Sequence, residues 1–343
     1  MHGCVAAGLV LALLSGFYST RTEAKLSLVQ QRLAQDQVTV LSTDYLSVDS
    51  ATKTFVLNGK SVFLSGVNQP WVNYGNDFGN NQPNSVFCQL NETLQNVTMS
   101  SGNSVRMWVH CEGVDTPYFD SNGYVIGTDK ANTLINDMRL YLTAASNANV
   151  LVLFSLWNGA QPIRSQVLGL MQDTSKLQSY LNNALIPMVK GLSDLRSIAG
   201  WEIVNEPEGS VQAGVSNSQP CFDTRSLQGT GAGWTGSNIP MQQWLRFINW
   251  QAAAIHQAQP GALVTVGSWS EHASTDNFGY TNYYKDSCLQ AAGGQAAGTL
   301  DYYQMHSYRL EGPVWPLRTV QQQQRHDICQ VRTGQAIDNR RVC

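Results

Sequence analysis

A chain of 343 residues with 43% hydrophobic side chains and a formal net charge of −3 holds enough apolar material for one large core, and one main domain is expected. Only 13% of residues are charged, so no basic stripe exists to grip phosphate backbones and no single-sign field to steer a charged partner. Nucleic acid is thereby excluded as a partner class.

The first element is an apolar run from Val5 to Phe17, followed by small residues and Thr22-Glu23-Ala24. It suits a secretory signal peptide over residues 1–24 with cleavage before Lys25, and it is shorter than the roughly 20 residues a membrane-spanning helix needs. A secreted, extracellular protein with no membrane contact after signal removal is expected, with residues 25–45 as a lead-in. Once Cys4 leaves with the signal, Cys88, Cys111, Cys221, Cys288, Cys329 and Cys343 remain. An oxidising compartment favours their pairing, but the sequence leaves the connectivity open. No CxxC occurs and the histidines have no metal-ligand spacing, so neither metal nor cofactor is expected. Asn91-Glu92-Thr93 and Asn96-Val97-Thr98 are acceptor triplets for glycans where exposed.

From Val62 onward, β-branched runs recur, each closing on polar or aromatic residues: Val62 to Asn68, Val105 to His110, Val150 to Trp157, Trp201 to Glu206, Leu263 to Trp269 and Tyr302 to Tyr308. These predict buried parallel strands. Between them, helices are predicted over roughly Ser85 to Met99, Ala131 to Asn147, Lys176 to Arg196 and Met241 to Ala258. The last stops at Gln259-Pro260-Gly261. Strand alternating with helix implies an α/β fold, and polar groups at the strand ends favour a barrel with its site on that face. Glu208 to Pro240 is a long Gly- and Ser-rich loop on the same face. From about Arg309 to Cys343 the pattern is lost, with a Gln321 to Gln324 run and no apolar strand.

The segments Phe63 to Tyr74, Ser104 to His110, Leu156 to Gly159, Trp201 to Gly209, Val266 to Trp269 and Gln304 to Tyr308 together resemble the secreted endo-β-1,4-mannanases of glycoside hydrolase family 5, in the branch found in molluscs. The resemblance runs from about Leu46 to Tyr308. It implies a (β/α)8 TIM barrel over residues 46–308, with about six βα units recognisable and strands seven and eight missing, ahead of a non-family tail at 309–343. The chain would then be truncated or divergent after Tyr308.

The resemblance also implies roles. Glu206 would be the general acid/base, protonated to release the leaving group and ionised to activate water. Asn205 would bond the sugar 2-hydroxyl. Arg106 would orient the nucleophile, with His306 and Tyr308 completing that wall. Trp71, Trp157 and Trp269 close strands or open loops, so they are assigned to sugar stacking, with His110 beside them; Trp201 and Trp250, set within strand and helix patterns, are assigned to the core. Cys221 and Cys288 are implied to pair, and Cys88 is expected with Cys111. Retaining chemistry needs a second carboxyl about 5 to 5.5 Å from the first. Past Asp301 the acids are Glu311, Asp327 and Asp338, and none ends a strand-like run. The expected function is retaining hydrolysis of internal β-1,4-mannosidic bonds by a monomer, impaired by the missing nucleophile. A non-catalytic glycan-binding protein and a related glycosidase such as an endo-β-1,4-glucanase are the alternatives.

Overall fold

A computed structural model describes residues 44–82, 84–307 and the pair 330–331. In chain order the elements are β1 (Ser47–Asp49), β2 (Thr54–Leu57), β3 (Lys60–Val62), β4 (Gly66–Asn68), α1 (Asn84–Met99), β5 (Ser104–Cys111), β6 (Tyr118–Phe119), β7 (Val125–Gly127), α2 (Leu134–Asn147) and β8 (Leu151–Asn158). There follow α3 (Ser165–Gln172), α4 (Thr174–Tyr180), α5 (Ile186–Leu192), β9 (Ile198–Asn205), α6 (Met241–Ala258), β10 (Val264–Ser268), α7 (Asp286–Gly293), β11 (Tyr302–Met305) and β12 (Gln330–Val331).

The main sheet has the order β12-β11-β10-β9-β8-β5-β4. From β4 to β11 every pairing is parallel, giving six parallel strands, and β12 joins β11 antiparallel. This is the strand series of a (β/α) barrel, with helices packed on its outer face. β9, at the centre, is buried along its whole length, whereas Gly66 to Asn68 of β4 are exposed at the edge. The same edge leaves Phe63 and Val67 open to solvent. No strand pairs with the outer side of β4 among the described residues.

Two apolar clusters hold the domain. The larger lies between the sheet and its helices and includes Phe154, Trp201, Trp244 and Phe247. The smaller closes the N-terminal ends of the strands: the β1–β3 meander presses Phe55 and Leu57 onto Leu151, Ala199, Leu263 and Tyr302. The Phe55 and Tyr302 rings meet edge to face with centroids 5.0 Å apart. Strands β2 and β3 are joined by Asn58-Gly59, both at positive φ (56° and 70°), as a tight two-residue hairpin turn requires.

The structure departs from the predicted strands, helices and cysteine pairing as follows. The strand predicted from Val62 to Asn68 is two elements, β3 ending at Val62 and β4 starting at Gly66. The single helix predicted over Lys176 to Arg196 is α4 and α5 around a wide turn at Leu181–Leu185, just ahead of Pro187, which has no N–H to continue a regular ladder. The expected Cys88 to Cys111 bridge does not form; Cys111 is a buried thiol. By contrast Cys221 and Cys288 are bridged, with their Cα atoms 5.1 Å apart. The signal segment, Tyr308, Glu311, Cys329 and Cys343 lie outside the described residues. Asn96 is exposed on α1, while Asn91 is half-buried.

Candidate active site

Side chains of β4, β5, β8, β9 and β11, with Glu206 just past β9 and His306 just past β11, converge on a buried polar cluster. Glu206 follows β9 directly and takes a left-handed conformation (φ 46°, ψ 57°), turning the chain into the short 3-10 segment Pro207–Ser210. A glutamate rarely adopts this conformation, which costs on the order of 1 kcal/mol and is held only where surroundings dictate it. Here the Glu206 N–H donates to the Gly267 carbonyl at 2.6 Å. Its Oε1 lies 2.7 Å from His306 Nδ1, and the carboxyl is buried. His306 therefore meets the expected acid/base itself. It is placed there because its own N–H donates to the Ser268 carbonyl at 2.8 Å. Gly267 makes room: a Cβ at that position would meet Glu202 Oε1 at 2.7 Å and His306 Cε1 at 3.0 Å.

Arg106 is the hub of the cluster. Its Nε donates to Glu202 Oε2 at 2.7 Å and its Nη2 to Glu202 Oε1, a two-pronged contact suited to a planar guanidinium. Nη1 donates to Asn68 Oδ1 at 2.9 Å and Nη2 also to Asn205 Oδ1 at 2.8 Å. Glu202 and Asn205 are three residues apart on β9, which strict alternation would place on opposite faces. The register with β10 slips between them, Glu202 facing Thr265 and Asn205 facing Gly267, so β9 carries one extra residue and both side chains reach Arg106. Glu202 is fully buried and also accepts from Ser155 Oγ at 2.7 Å and from Gln304 Nε2. Burial alone pushes its carboxyl up; the Arg106 charge and hydrogen bonds outweigh that and hold it below the ordinary carboxylate value. The carboxylate oriented by Arg106 is thus Glu202, a residue to which the sequence assigned no role.

Comparison with known proteins shows the family. A mannan endo-1,4-β-mannosidase of Mytilus edulis is 53% identical over 253 residues, covering 73% of this chain and 68% of the relative. One from Cryptopygus antarcticus is 49% identical over 271 residues, covering 79% and 70%. The crystal structure of an endo-1,4-β-mannanase from Eisenia fetida superposes with a TM-score of 0.76 at 50% identity, covering 78% of this chain and 73% of that one. No protein-family model matches the chain. The chain belongs to the endo-β-1,4-mannanases of glycoside hydrolase family 5.

In this mannanase-family chain two aromatic groups follow strands that contribute to the cluster, one after β4 and one after β10. On the β4 side, Trp71 is exposed and packs edge to face on Tyr74 (4.7 Å) and Trp108 (5.3 Å). On the β10 side, Trp269 lies 5.5 Å from Trp234, itself exposed, and stacks on His272 at 6.1 Å. Trp234 comes from the long loop between β9 and α6 and had no sequence-based role; its Nε1 donates to the Ala160 carbonyl at 3.1 Å. The Cys221–Cys288 bridge ties that loop to α7.

Two of the expected sugar-contacting residues are instead core. Trp157 is 1% exposed; its ring packs on Tyr180 and Phe247 and its Nε1 donates to Gln251 Oε1 of α6 at 2.9 Å. No face of the ring is open to a ligand. His110 is 0% exposed, with Nδ1 2.7 Å from Thr116 Oγ1 and its ring against Trp157, and burial pushes its pKa down to about 3, so it is a neutral core group. Trp201 lies in the larger apolar cluster as expected, and Trp250 packs against that cluster.

Sequence reasoning also missed two buried carboxylates. Glu208 accepts from Tyr284 Oη at 2.6 Å, Ser268 Oγ at 2.7 Å and the Trp269 N–H at 3.1 Å, which anchors the loop after Glu206 to the start of the Trp269 loop. Burial raises its pKa. Glu112 accepts from Tyr74 Oη at 2.6 Å and from Asn158 Nδ2. Asn-Glu at a strand end is visible in sequence; these carboxylates owe their roles to partners 38 or more residues away.

Proposed function

We propose that the protein hydrolyses internal β-1,4-mannosidic bonds of mannan-type polysaccharides with retention of configuration. The observation that carries the reading is Glu206: a buried carboxyl at the end of the central strand, held in a left-handed turn and hydrogen-bonded to His306. The neighbouring Asn205, fixed by Arg106, supports pairing this proton donor with a contact to the sugar 2-hydroxyl. In the first step Glu206 gives its proton to the leaving oxygen; in the second, ionised, it takes one from water. The exposed Trp71 and the half-buried Trp269 offer apolar rings to pyranose faces. The signal-like N-terminus supports secretion.

A double displacement also needs a nucleophilic carboxylate. Glu202 is committed to Arg106, Glu112 is held by Tyr74 and Asn158, and Glu208 by Tyr284, Ser268 and the Trp269 N–H, so we assign the nucleophile to none of these three. Weak turnover by the chain as written is therefore expected.

The test is reducing-sugar release from mannan and from cellulose. It compares the chain from Lys25 to Cys343 with a chimera whose residues after Ser307 come from the Mytilus edulis relative. The expected result is slow or no release by the chain, release from mannan by the chimera several orders of magnitude faster, and none once Glu206→Gln is introduced. A chain as fast as the chimera overturns the missing-nucleophile reading. A chimera that cleaves cellulose in preference to mannan, or that binds mannan and cleaves nothing, favours the glucanase or the glycan-binding alternative.

A further inference from the structure

Asn158 and Asn205 are direct neighbours across β8 and β9, and their amides form one link in a chain of hydrogen bonds with fixed polarity. At one end, Glu112 is an acceptor. Tyr74 donates to it at 2.6 Å, and the phenol keeps its proton because burial, and then the carboxylate itself, raise its pKa. Asn158 must therefore turn its Nδ2 toward Glu112. Its Oδ1 then faces Asn205, whose Nδ2 donates to it at 3.0 Å. The Ala160 N–H, which can only donate, reaches the same Oδ1 at 3.0 Å and requires this orientation independently. At the other end Arg106, a pure donor, reaches Asn205 Oδ1 at 2.8 Å. Amide orientation is assigned from such networks, and here both ends and a backbone group agree.

We propose that Glu112 and Asn158 are positioning residues that lock the Asn205 amide with its oxygen on Arg106, reserving its second N–H as a donor to a sugar hydroxyl. The inference rests on the proposed function for the identity of that hydroxyl, not for the lock itself. A flipped Asn205 would present oxygen to the sugar and set its NH2 against the guanidinium. The lock therefore acts on the step in which the 2-hydroxyl contact strengthens, and its loss should lower kcat while leaving KM nearly unchanged.

The decisive experiment is a polarity swap. Asn158→Asp places a second carboxylate against Glu112, and at a pH where both are ionised, the condition for every measurement below, no donor lies between them. Glu112→Gln combined with Asn158→Asp restores the order. The amide introduced at position 112 accepts from Tyr74 and donates to the carboxylate introduced at position 158, which then accepts from Asn205 and Ala160. In the full chain labelled with 15N-asparagine, the Asn205 side-chain resonances, assigned by their loss in Asn205→Asp, should shift or double in Asn158→Asp and return toward wild type in the double variant. In the active chimera, kcat should fall about tenfold in the single variant, roughly one charge-assisted hydrogen bond, and recover in the double one. Thermal unfolding midpoints measured alongside separate this from general destabilisation. If the double variant is no better than the single by resonance and by kcat, or if the single variant leaves Asn205 unchanged, the lock does not exist. If the resonances respond but no variant or wild-type chimera acts on mannan, the lock stands and the functional reading falls.

Discussion

Replacing Glu202 by alanine removes the carboxylate that neutralises Arg106 in the middle of the sheet. Glu202 is fully buried and accepts from Arg106 through two nitrogens, from Ser155 at 2.7 Å and from Gln304. Deleting one partner of a buried ion pair costs about 3–5 kcal/mol, because the surviving charge stays out of water without its counter-charge. The Arg106 side chain is 13% exposed and keeps the Asn68 and Asn205 oxygens, which sets the expectation in the lower half of that range, about 3–4 kcal/mol. Glu202→Gln retains one oxygen acceptor and should cost roughly half as much. Urea unfolding at pH 7, followed by tryptophan fluorescence, measures both, with an unchanged slope showing that only stability has moved. The same pair fixes a pH signature. Burial raises the Glu202 carboxyl and Arg106 more than offsets this, so its folded value lies below the ordinary 4.5. Its contribution is complete above that ordinary value and is lost as pH falls through the lower folded one. The gap between wild type and Glu202→Ala should therefore be constant from neutral pH down to about pH 5 and shrink in stronger acid. A variant within about 0.5 kcal/mol of wild type at pH 7, or a gap indifferent to acid, would refute the reasoning.

Three further outcomes follow from the same geometry. The Cys221–Cys288 bridge spans 67 residues, for which loop closure gives about 4 kcal/mol; the double serine variant should lose that much in chemical unfolding, and a loss under about 1 kcal/mol would contradict it. Trp157→Ala should cost about 3–5 kcal/mol as a core cavity, with the folded fraction binding mannohexaose at wild-type affinity in calorimetry; weakened binding at full stability would return Trp157 to the cleft. Trp269→Ala should do the reverse, weakening mannohexaose binding by about tenfold, a loss of one stacking platform, while the unfolding midpoint moves little.

Much of the fold is legible because it depends on local chemistry. The ends of α6 follow from apolar spacing and the Gln259-Pro260-Gly261 stop, and they coincide with Met241 and Ala258. Strand β9 is largely apolar and buried along its length because both its faces are covered, its Glu202 and Asn205 being paired with Arg106. The β1–β3 meander was missed although Asn58-Gly59 between alternating residues is a hairpin signal, and its function in closing the barrel floor comes from packing with residues of β8, β9 and β11 and with Leu263 just before β10. The interruption of the predicted helix over Lys176 to Arg196 had a local signal too, in Pro187.

The site divides along the same line. Glu206, Asn205, Arg106 and His306 could be singled out because they recur on successive strand runs that resemble one family, and the structure brings them within hydrogen-bond reach of one another or of Glu202. Glu112, Glu202 and Glu208 were assigned no role because a carboxylate in sequence carries no record of its donors, which arrive here from β5, β8, β10, β11 and the loops before α1 and α7. The tryptophans sharpen the distinction. In sequence Trp71 follows the run Val62 to Asn68 and Trp157 closes the run Val150 to Trp157, each ahead of a polar turn, and neither residue carries a record of what covers its ring. Their fates are set by neighbours: past β4 the sheet edge is open and Trp71 keeps a solvent-facing ring, whereas β8 lies beneath α6, where Gln251 satisfies the indole N–H and Phe247 covers the ring. A strand-end tryptophan is therefore a sugar platform only where no helix has already claimed its face, and that condition is written in tertiary packing.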